Sequence, residues 1–259
     1  MQKDIKIIFE NDEVLVVDKP AGLVVHPARP AGGSDGKTDE SSLTDWVLDK
    51  YPEMKDVGEP AEYDGKVIAR PGVVHRLDRE TSGVLVLAKT QESFENLKKQ
   101  FQERETKKIY NAFVYGAVKN EEDTIDRPIG KSKSDFRKWS AQRGARGVMR
   151  EAVTEYKVLQ KNKDFSYLEI SPKTGRTHQI RVHFKAINYP VVCDKLYAPK
   201  LARRSFSGGG RDCALGFERL ALHAKSLTFS LLSGEKVTVE ADLPEDFKKA
   251  METLSKNAE

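Results

Sequence analysis

Cysteine is scarce: of 259 residues only Cys193 and Cys213 carry a thiol. Two are too few for a disulfide framework and lack the clustered spacing of a zinc site, so a reducing, cytoplasmic compartment fits best. Histidine is nearly as rare. Among five in all, His178 and His183 stand five apart and no His-Glu-x-x-His string occurs, so no metal site is expected. Long apolar runs are missing too. Stretches such as Val84 to Ala88 fall far short of the ~20 residues of a membrane span, and Met1 to Glu13 holds no apolar signal-peptide core. No membrane partner is expected.

What is present is enough for a folded core. Hydrophobic residues make up 38%, and the 18 glycines bring the apolar share to about 45%, inside the globular range. The net charge of +4 hides an uneven distribution. From 32 to 64 there are ten acids against three lysines, whereas from 127 to 150 eight basic residues face Asp135 alone. Further basic residues follow at Lys195, Lys200, Arg203, Arg204 and Arg211. Charge runs of this kind are usually solvated loops. The alternative is a phosphate-tracking surface, favoured by Phe136, Trp139 and Phe206, which interleave with the basic residues as stacking groups.

Periodicity predicts a hairpin of strands 5–9 and 14–17, turning at Asn11-Asp12. A loop then leads to a helix over 42–50. A buried strand over 84–88 precedes a helix over 91–103 capped by Thr90, with Phe94, Leu97 and Phe101 on its core face. Strands are expected over 109–118, 152–159, 166–170, 224–231 and 236–240. Two more helices are expected, over 177–187 with Thr177 as cap and from 245 onward. The segment after Arg127 shows no clean period. Strands that follow one another directly argue for an α+β fold with a mostly antiparallel mixed sheet flanked by helices. No linker splits the chain, so 1–259 reads as a single domain.

Some strings look chemical. Ala31 to Thr38 loosely fits a phosphate loop, but no strand leads directly into it and its acids would repel a phosphate. In Arg70-Pro-Gly-Val-Val-His75-Arg76-Leu77-Asp78-Arg79 one acid sits among three arginines. Neighbouring guanidinium groups favour the charged carboxylate, which suits Asp78 to a nucleophile's or base's task, or to a structural ion pair. In Lys173-Thr-Gly-Arg176-Thr-His178-Gln-Ile180-Arg181 a tight turn opens a helix bearing two arginines. They could bind phosphate, pair with a buried acid or line a surface.

Together the ordered strings Val16-Val-Asp-Lys19-Pro20-Ala-Gly22, His75-Arg-Leu-Asp78-Arg-Glu-Thr-Ser-Gly83, Lys108-Ile-Tyr110, Gly175-Arg-Thr-His-Gln-Ile-Arg181-Val-His183 and Leu220-Ala-Leu-His223-Ala closely resemble the RluA-type RNA pseudouridine synthases over about residues 5–243. The resemblance implies that family's catalytic fold with a central cleft. It also implies cofactor-free isomerisation of uridine to pseudouridine in structured RNA, ribosomal or transfer. Asp78 is then the essential anion, attacking the sugar or abstracting a ribose proton. Arg181 pairs with it, and Tyr110 stacks on the target base. Arg76 fills the space left by the flipped uridine, Ile180 packs beside the uracil, and Arg176 and His178 contact substrate. Strand alternation puts Tyr110 out of phase with Phe113 and Tyr115, freeing it for the cleft if those two face the core.

Many relatives carry a small RNA-binding S4 domain before the catalytic one. Here the catalytic pattern begins within the first ten residues, so RNA grip is expected from Arg137, Lys138, Arg143, Arg146 and Arg150, in a monomer. A non-catalytic RNA-binding or ribosome-assembly factor on the same fold is the alternative, and a nucleoside hydrolase a more remote one.

Overall fold

The computed structural model describes residues 5–26, 41–63, 65–142, 145–202 and 213–256. The rejected phosphate-loop pattern at 31–38, Arg143 as an expected RNA contact, and Arg203, Arg204, Phe206 and Arg211 of the expected basic, aromatic surface lie outside them. In chain order the first elements are β1 (Lys6–Glu10), β2 (Val14–Lys19), α1 (Leu43–Lys50), β3 (Ala61–Tyr63), β4 (Lys66–Ile68), β5 (Ser82–Ala88), α2 (Gln91–Glu103) and β6 (Lys107–Tyr115). Then come β7 (Glu122–Asp126), β8 (Ile129–Lys131), β9 (Trp139–Ser140), β10 (Arg146–Arg150), β11 (Val153–Lys161) and β12 (Phe165–Pro172). The last are α3 (Gln179–Ala186), α4 (Pro199–Ala202), β13 (Leu222–Ser230), β14 (Lys236–Glu240) and α5 (Glu245–Lys256). The fold is α+β, with a large, mostly antiparallel sheet and few helices.

Two compact units emerge, Met1–Lys107 with Ser226–Ala241 and Lys108–Lys225 with Asp242–Glu259. The chain changes unit inside β6, inside β13 and again between β14 and α5, so no loop-like composition marks the first two borders.

In the first unit β2 lies between β1 and β5, both antiparallel to it, and the register with β5 runs from Val14↔Ala88 to Lys19↔Gly83. All seven residues of β5 are buried, which is why its sequence is a continuous apolar run rather than an alternation. Asn11 closes the β1–β2 hairpin by accepting from the backbone of Glu13 (2.9 Å) and Val14 (2.8 Å). Helix α2 starts at a reciprocal Thr90/Ser93 capping box. It drives Phe94 and Leu97 into a core with Val14, Val16, Val84 and Val86. Burying each such side chain contributes about 1.5–3 kcal/mol.

In the second unit β6, β12, β11 and β7 form an antiparallel run. Phe113 of β6 stacks on Tyr167 (4.7 Å between ring centres) and meets Phe217 and the Phe247 of α5 at 5.5 and 5.6 Å. Both faces of β6 are buried beyond Tyr110, since Ala112 and Val114 are as inaccessible as Phe113. Alternation therefore does not by itself free Tyr110; it differs because it sits in the less buried first half of the strand.

Three expectations change. The segment after Arg127 holds a three-stranded sheet, ordered β10-β8-β9. It lacked a readable period because β10 buries none of its residues. Thr177 does not cap α3; His178 occupies that place in a left-handed conformation (φ 56°) with no side-chain cap. Finally, Cys193 and Cys213 are joined as a disulfide with Cα atoms 5.6 Å apart.

Candidate active site

The first unit presents Asp78 on the loop between Arg70 and β5. Along it Arg76 is exposed, Leu77 buried and Asp78 half-buried. Arg76 Nη1 lies 3.5 Å from His26 Nε2. The loop is tied down on both sides of Asp78. Before it, His75 Nε2 accepts the Val86 amide of β5 (3.1 Å) while its ring stacks on Phe101. That bond makes Nε2 an acceptor and puts the neutral ring's proton on Nδ1. After it, the Thr81 amide donates to the Asp78 carbonyl (3.1 Å).

The strongest anchor is Lys19, the last residue of β2 and 0% exposed. Its ammonium donates to the carbonyls of Pro20 (2.9 Å), Leu23 (2.8 Å) and Arg79 (3.1 Å). Three protons meet three carbonyls, which is what makes a buried cation tolerable. The Arg79 carbonyl also takes the Gly22 amide at 2.8 Å, and Arg79 Nε returns a bond to Gly22 at 3.2 Å. Gly22 has φ 84°, a left-handed turn position that glycine reaches without strain. The Lys19-Pro-Ala-Gly22 string thus serves as a clamp on the residue following Asp78. Nearby charge is positive: burial first, and the Arg76 charge second, push the Arg70 guanidinium below its ordinary value. Its buried Nε has no hydrogen-bond partner among the described residues.

The second unit carries Tyr110, Arg176, His178, Ile180 and Arg181. Tyr110 is paired with Ile170 and packs at the margin of the core that holds Ile180, itself 6% exposed. The turn before α3 is organised by Gln179. Its Oε1 accepts from Thr174 Oγ1 (2.6 Å) and the Arg176 amide (3.0 Å), and its Nε2 donates to Val153 O (3.0 Å) and Thr154 Oγ1 (2.9 Å). Arg176 Nε reaches the Glu151 carbonyl (3.0 Å). His183 lies wholly buried on the same helix. Its Nε2 donates to the Arg127 carbonyl and its Nδ1 takes the Thr154 hydroxyl, both at 2.9 Å, because a carbonyl can only accept. Burial pushes this imidazole below its ordinary value.

Arg181 is held by residues outside every motif that drew attention in the sequence. Asp194, its side chain 0% exposed, takes Arg181 Nε on Oδ2 (2.8 Å) and Nη2 on Oδ1 (2.9 Å) in a two-pronged ion pair. The same carboxylate accepts the amides of Leu196 (3.0 Å) and Tyr197 (2.9 Å). The Tyr197 ring lies 5.1 Å from the guanidinium. Its hydroxyl meets His178 Nδ1 (2.9 Å) and accepts the Trp139 amide of β9 (3.1 Å). The available signal was an acid directly after the apolar Val191-Val-Cys193 and three residues before a tyrosine, in Val191-Val-Cys-Asp194-Lys-Leu-Tyr197. Among the described residues no three His, Cys, Asp or Glu gather as metal ligands.

The expected RNA contacts lie on the β8–β10 sheet. Arg137 and Lys138 both reach Asp135. Arg146 and Arg150 stand opposite Lys131 and Ile129 on exposed β10.

Residues 13–186 match the family model described as RNA pseudouridylate synthase. An uncharacterized RNA pseudouridine synthase of Bacillus subtilis is 36% identical over 98% of this chain and 74% of its own length. A protein of Xanthomonas campestris named ribosomal large subunit pseudouridine synthase D is 37% identical over 98% of this chain and 70% of its own. Among solved structures, human RNA pseudouridylate synthase domain containing 4 aligns with TM-score 0.66 at 25% identity, covering 96% of this chain and 92% of that one.

Proposed function

The chain belongs to the RluA-type RNA pseudouridine synthases, an isomerase family, and from that premise we propose that it converts a uridine of structured RNA into pseudouridine with Asp78 as the catalytic carboxylate. The bond from C1′ to N1 breaks, the uracil turns, C5 bonds to C1′, and the proton lost from C5 is balanced by one gained at N1. Uracil departs as a delocalised anion, so one carboxylate in a fixed position and a set of hydrogen-bond donors suffice.

The observation that carries this reading is the anchoring of the Asp78 loop by Lys19, Gly22 and His75. A reacting group held in one place spends little free energy on orientation when substrate binds. Arg70 and Arg76, two cations that repel each other, suit the arrival of an RNA phosphate. Arg181, Tyr110 and Ile180 serve the same uridine, with Arg181 kept in orientation by Asp194 and Tyr197, while Arg176 and His178 contact the substrate. A uridine inside a helix must leave the stack before a carboxylate can reach its sugar, and Arg76 occupies the vacated space. Ribosomal RNA of the large subunit is the first substrate to try, because relatives from four genera carry that name.

Carbodiimide labelling followed by reverse transcription detects the isomer on large-subunit transcripts and on tRNA. Stops appearing with the wild-type protein and absent with Asp78→Asn are expected. No stops on any RNA would leave a non-catalytic RNA-binding or assembly factor, and abasic sites would indicate hydrolysis.

A further inference from the structure

The hairpin joining β8 to β9 displays an aromatic side chain in an unusual setting. Its turn is closed by the Lys138 amide donating to the Asp135 carbonyl and the Ser132 amide to the Lys138 carbonyl, both at 3.0 Å. Asp135 Oδ1 also accepts the Arg137 amide (3.0 Å) and Nε (3.1 Å), and Oδ2 accepts Nη2 (2.9 Å), with Lys138 Nζ at 3.5 Å. The single acid of the 127–150 stretch is therefore spent on its own turn. It offers no bare negative charge to a polyanion, and the Arg137 guanidinium beside it holds its carboxyl well below the usual carboxylate range.

Phe136 sits at the crest of this closed turn, 79% exposed. The base of the hairpin is anchored instead: Lys131 lies over the Trp139 ring at 4.6 Å, and Trp139 packs against Ile129, Val182 and Tyr197. The neighbouring strand β10 has no buried residue. Val148 is 80% and Met149 44% exposed, between Arg146 and Arg150. Gly130 of β8 leaves room for the Met149 side chain; a Cβ there would meet Met149 Sδ at 2.5 Å. Three of the six large apolar side chains exposed among the described residues thus lie on this one small basic sheet. Exposed apolar groups gathered in one place mark a binding surface.

The charge around them selects the partner. Cations favour phosphate, and a pre-held aromatic face favours an unpaired base, whose π-face a duplex hides. We propose that the 132–138 hairpin is a finger whose Phe136 stacks on an unpaired base of the RNA substrate while Arg146 and Arg150 of the same sheet hold phosphates, so that looped RNA is preferred over fully paired RNA. This rests on the pseudouridine synthase reading and names the substrate feature that reading leaves open. Because the turn is closed before binding, little ordering cost attaches to the stack.

The two contributions separate by their salt dependence. Fluorescence anisotropy would follow a labelled RNA hairpin with a large loop and a blunt duplex of equal length, for wild type, Phe136→Ala and the Arg146→Ala/Arg150→Ala pair, each checked for an unchanged melting temperature. Phe136→Ala should weaken binding of the looped RNA by about 5- to 100-fold, leave the salt slope unaltered and leave the duplex affinity as it was. The arginine pair should weaken both RNAs and lower the slope by about 1–2. Equal affinity of wild type and Phe136→Ala for looped RNA overturns the finger. If both proteins still form pseudouridine, the enzymatic reading survives that loss. Absence of binding to either RNA by the wild type overturns both. Self-association of the wild type that Phe136→Ala abolishes, with RNA affinity unchanged, would assign the finger to a protein contact and overturn it as well.

Discussion

The Asp78 loop and the β8–β10 sheet are built on opposite plans. Around Asp78 the anchoring polar groups are buried and engaged: Lys19 is inaccessible and gives its ammonium to three carbonyls. On the basic sheet β10 buries nothing, and Phe136 stands out in solvent. Chemistry on a sugar needs one group in one place, whereas grip on a polyanion needs cations and aromatic faces in the open. Substitutions in the first region should therefore cost stability or rate, and those in the second should cost affinity alone.

The largest stability effect is expected at Asp194. Asp194→Ala takes the two-pronged carboxylate away from the Arg181 guanidinium, 11% exposed. Removing one member of a buried ion pair costs about 3–5 kcal/mol, read as a fall in urea midpoint. An unchanged midpoint would mean that the pair contributes nothing to the fold. Next comes Lys19→Met, which keeps the apolar stem but withdraws a donor from three carbonyls, of which only that of Arg79 keeps the Gly22 amide. A loss of about 1–3 kcal/mol is expected, together with a lower pseudouridylation rate at saturating RNA. If stability falls while the rate holds, the clamp does not position Asp78.

A smaller effect follows from His183. Its native pKa is lowered by burial, so as pH falls below about 6.5 the unfolded chain takes up a proton that the native imidazole refuses. Stability present above that pH is lost on acidification, by at most about 1.4 kcal/mol per pH unit from this group, until the native pKa is reached. Urea titrations at pH 7.5 and 5.5 on wild type and His183→Gln check the sign; an identical pH dependence in both proteins would contradict it. Smallest of all, Phe136→Ala and Arg146→Ala should change stability by no more than about 0.5 kcal/mol, since both side chains lie in solvent. A larger loss would show that the sheet is held by its exposed residues and would erase the contrast.

How far the sequence could be read follows the same division. Helix α2 and strands β2 and β5 were legible because their burial follows a period or a continuous apolar run. β10 was not, because a strand exposed on every residue has no hydrophobic pattern. Asp78, Arg181 and the Lys19-Pro-Ala-Gly22 turn stood out as strings, yet the work of Lys19 depends on a carbonyl sixty residues away, at Arg79. Asp194 was invisible for the same reason: its meaning comes from the helix it faces rather than from its neighbours in the chain. The Cys193–Cys213 bond was missed because two cysteines allow one pairing but their sequence positions do not say whether it forms.

The central claim, that chemistry and grip reside in separate regions, is tested most directly by measuring single-turnover pseudouridine formation and RNA affinity side by side in Asp78→Asn and in the Arg146→Ala/Arg150→Ala pair. The account predicts that Asp78→Asn binds RNA within about 3-fold of wild type yet loses at least about 10²–10⁴-fold in rate, while the arginine pair binds weakly but reaches the wild-type rate once RNA is saturated. Product formed by Asp78→Asn, or a rate defect in the arginine pair that saturation does not restore, would contradict it.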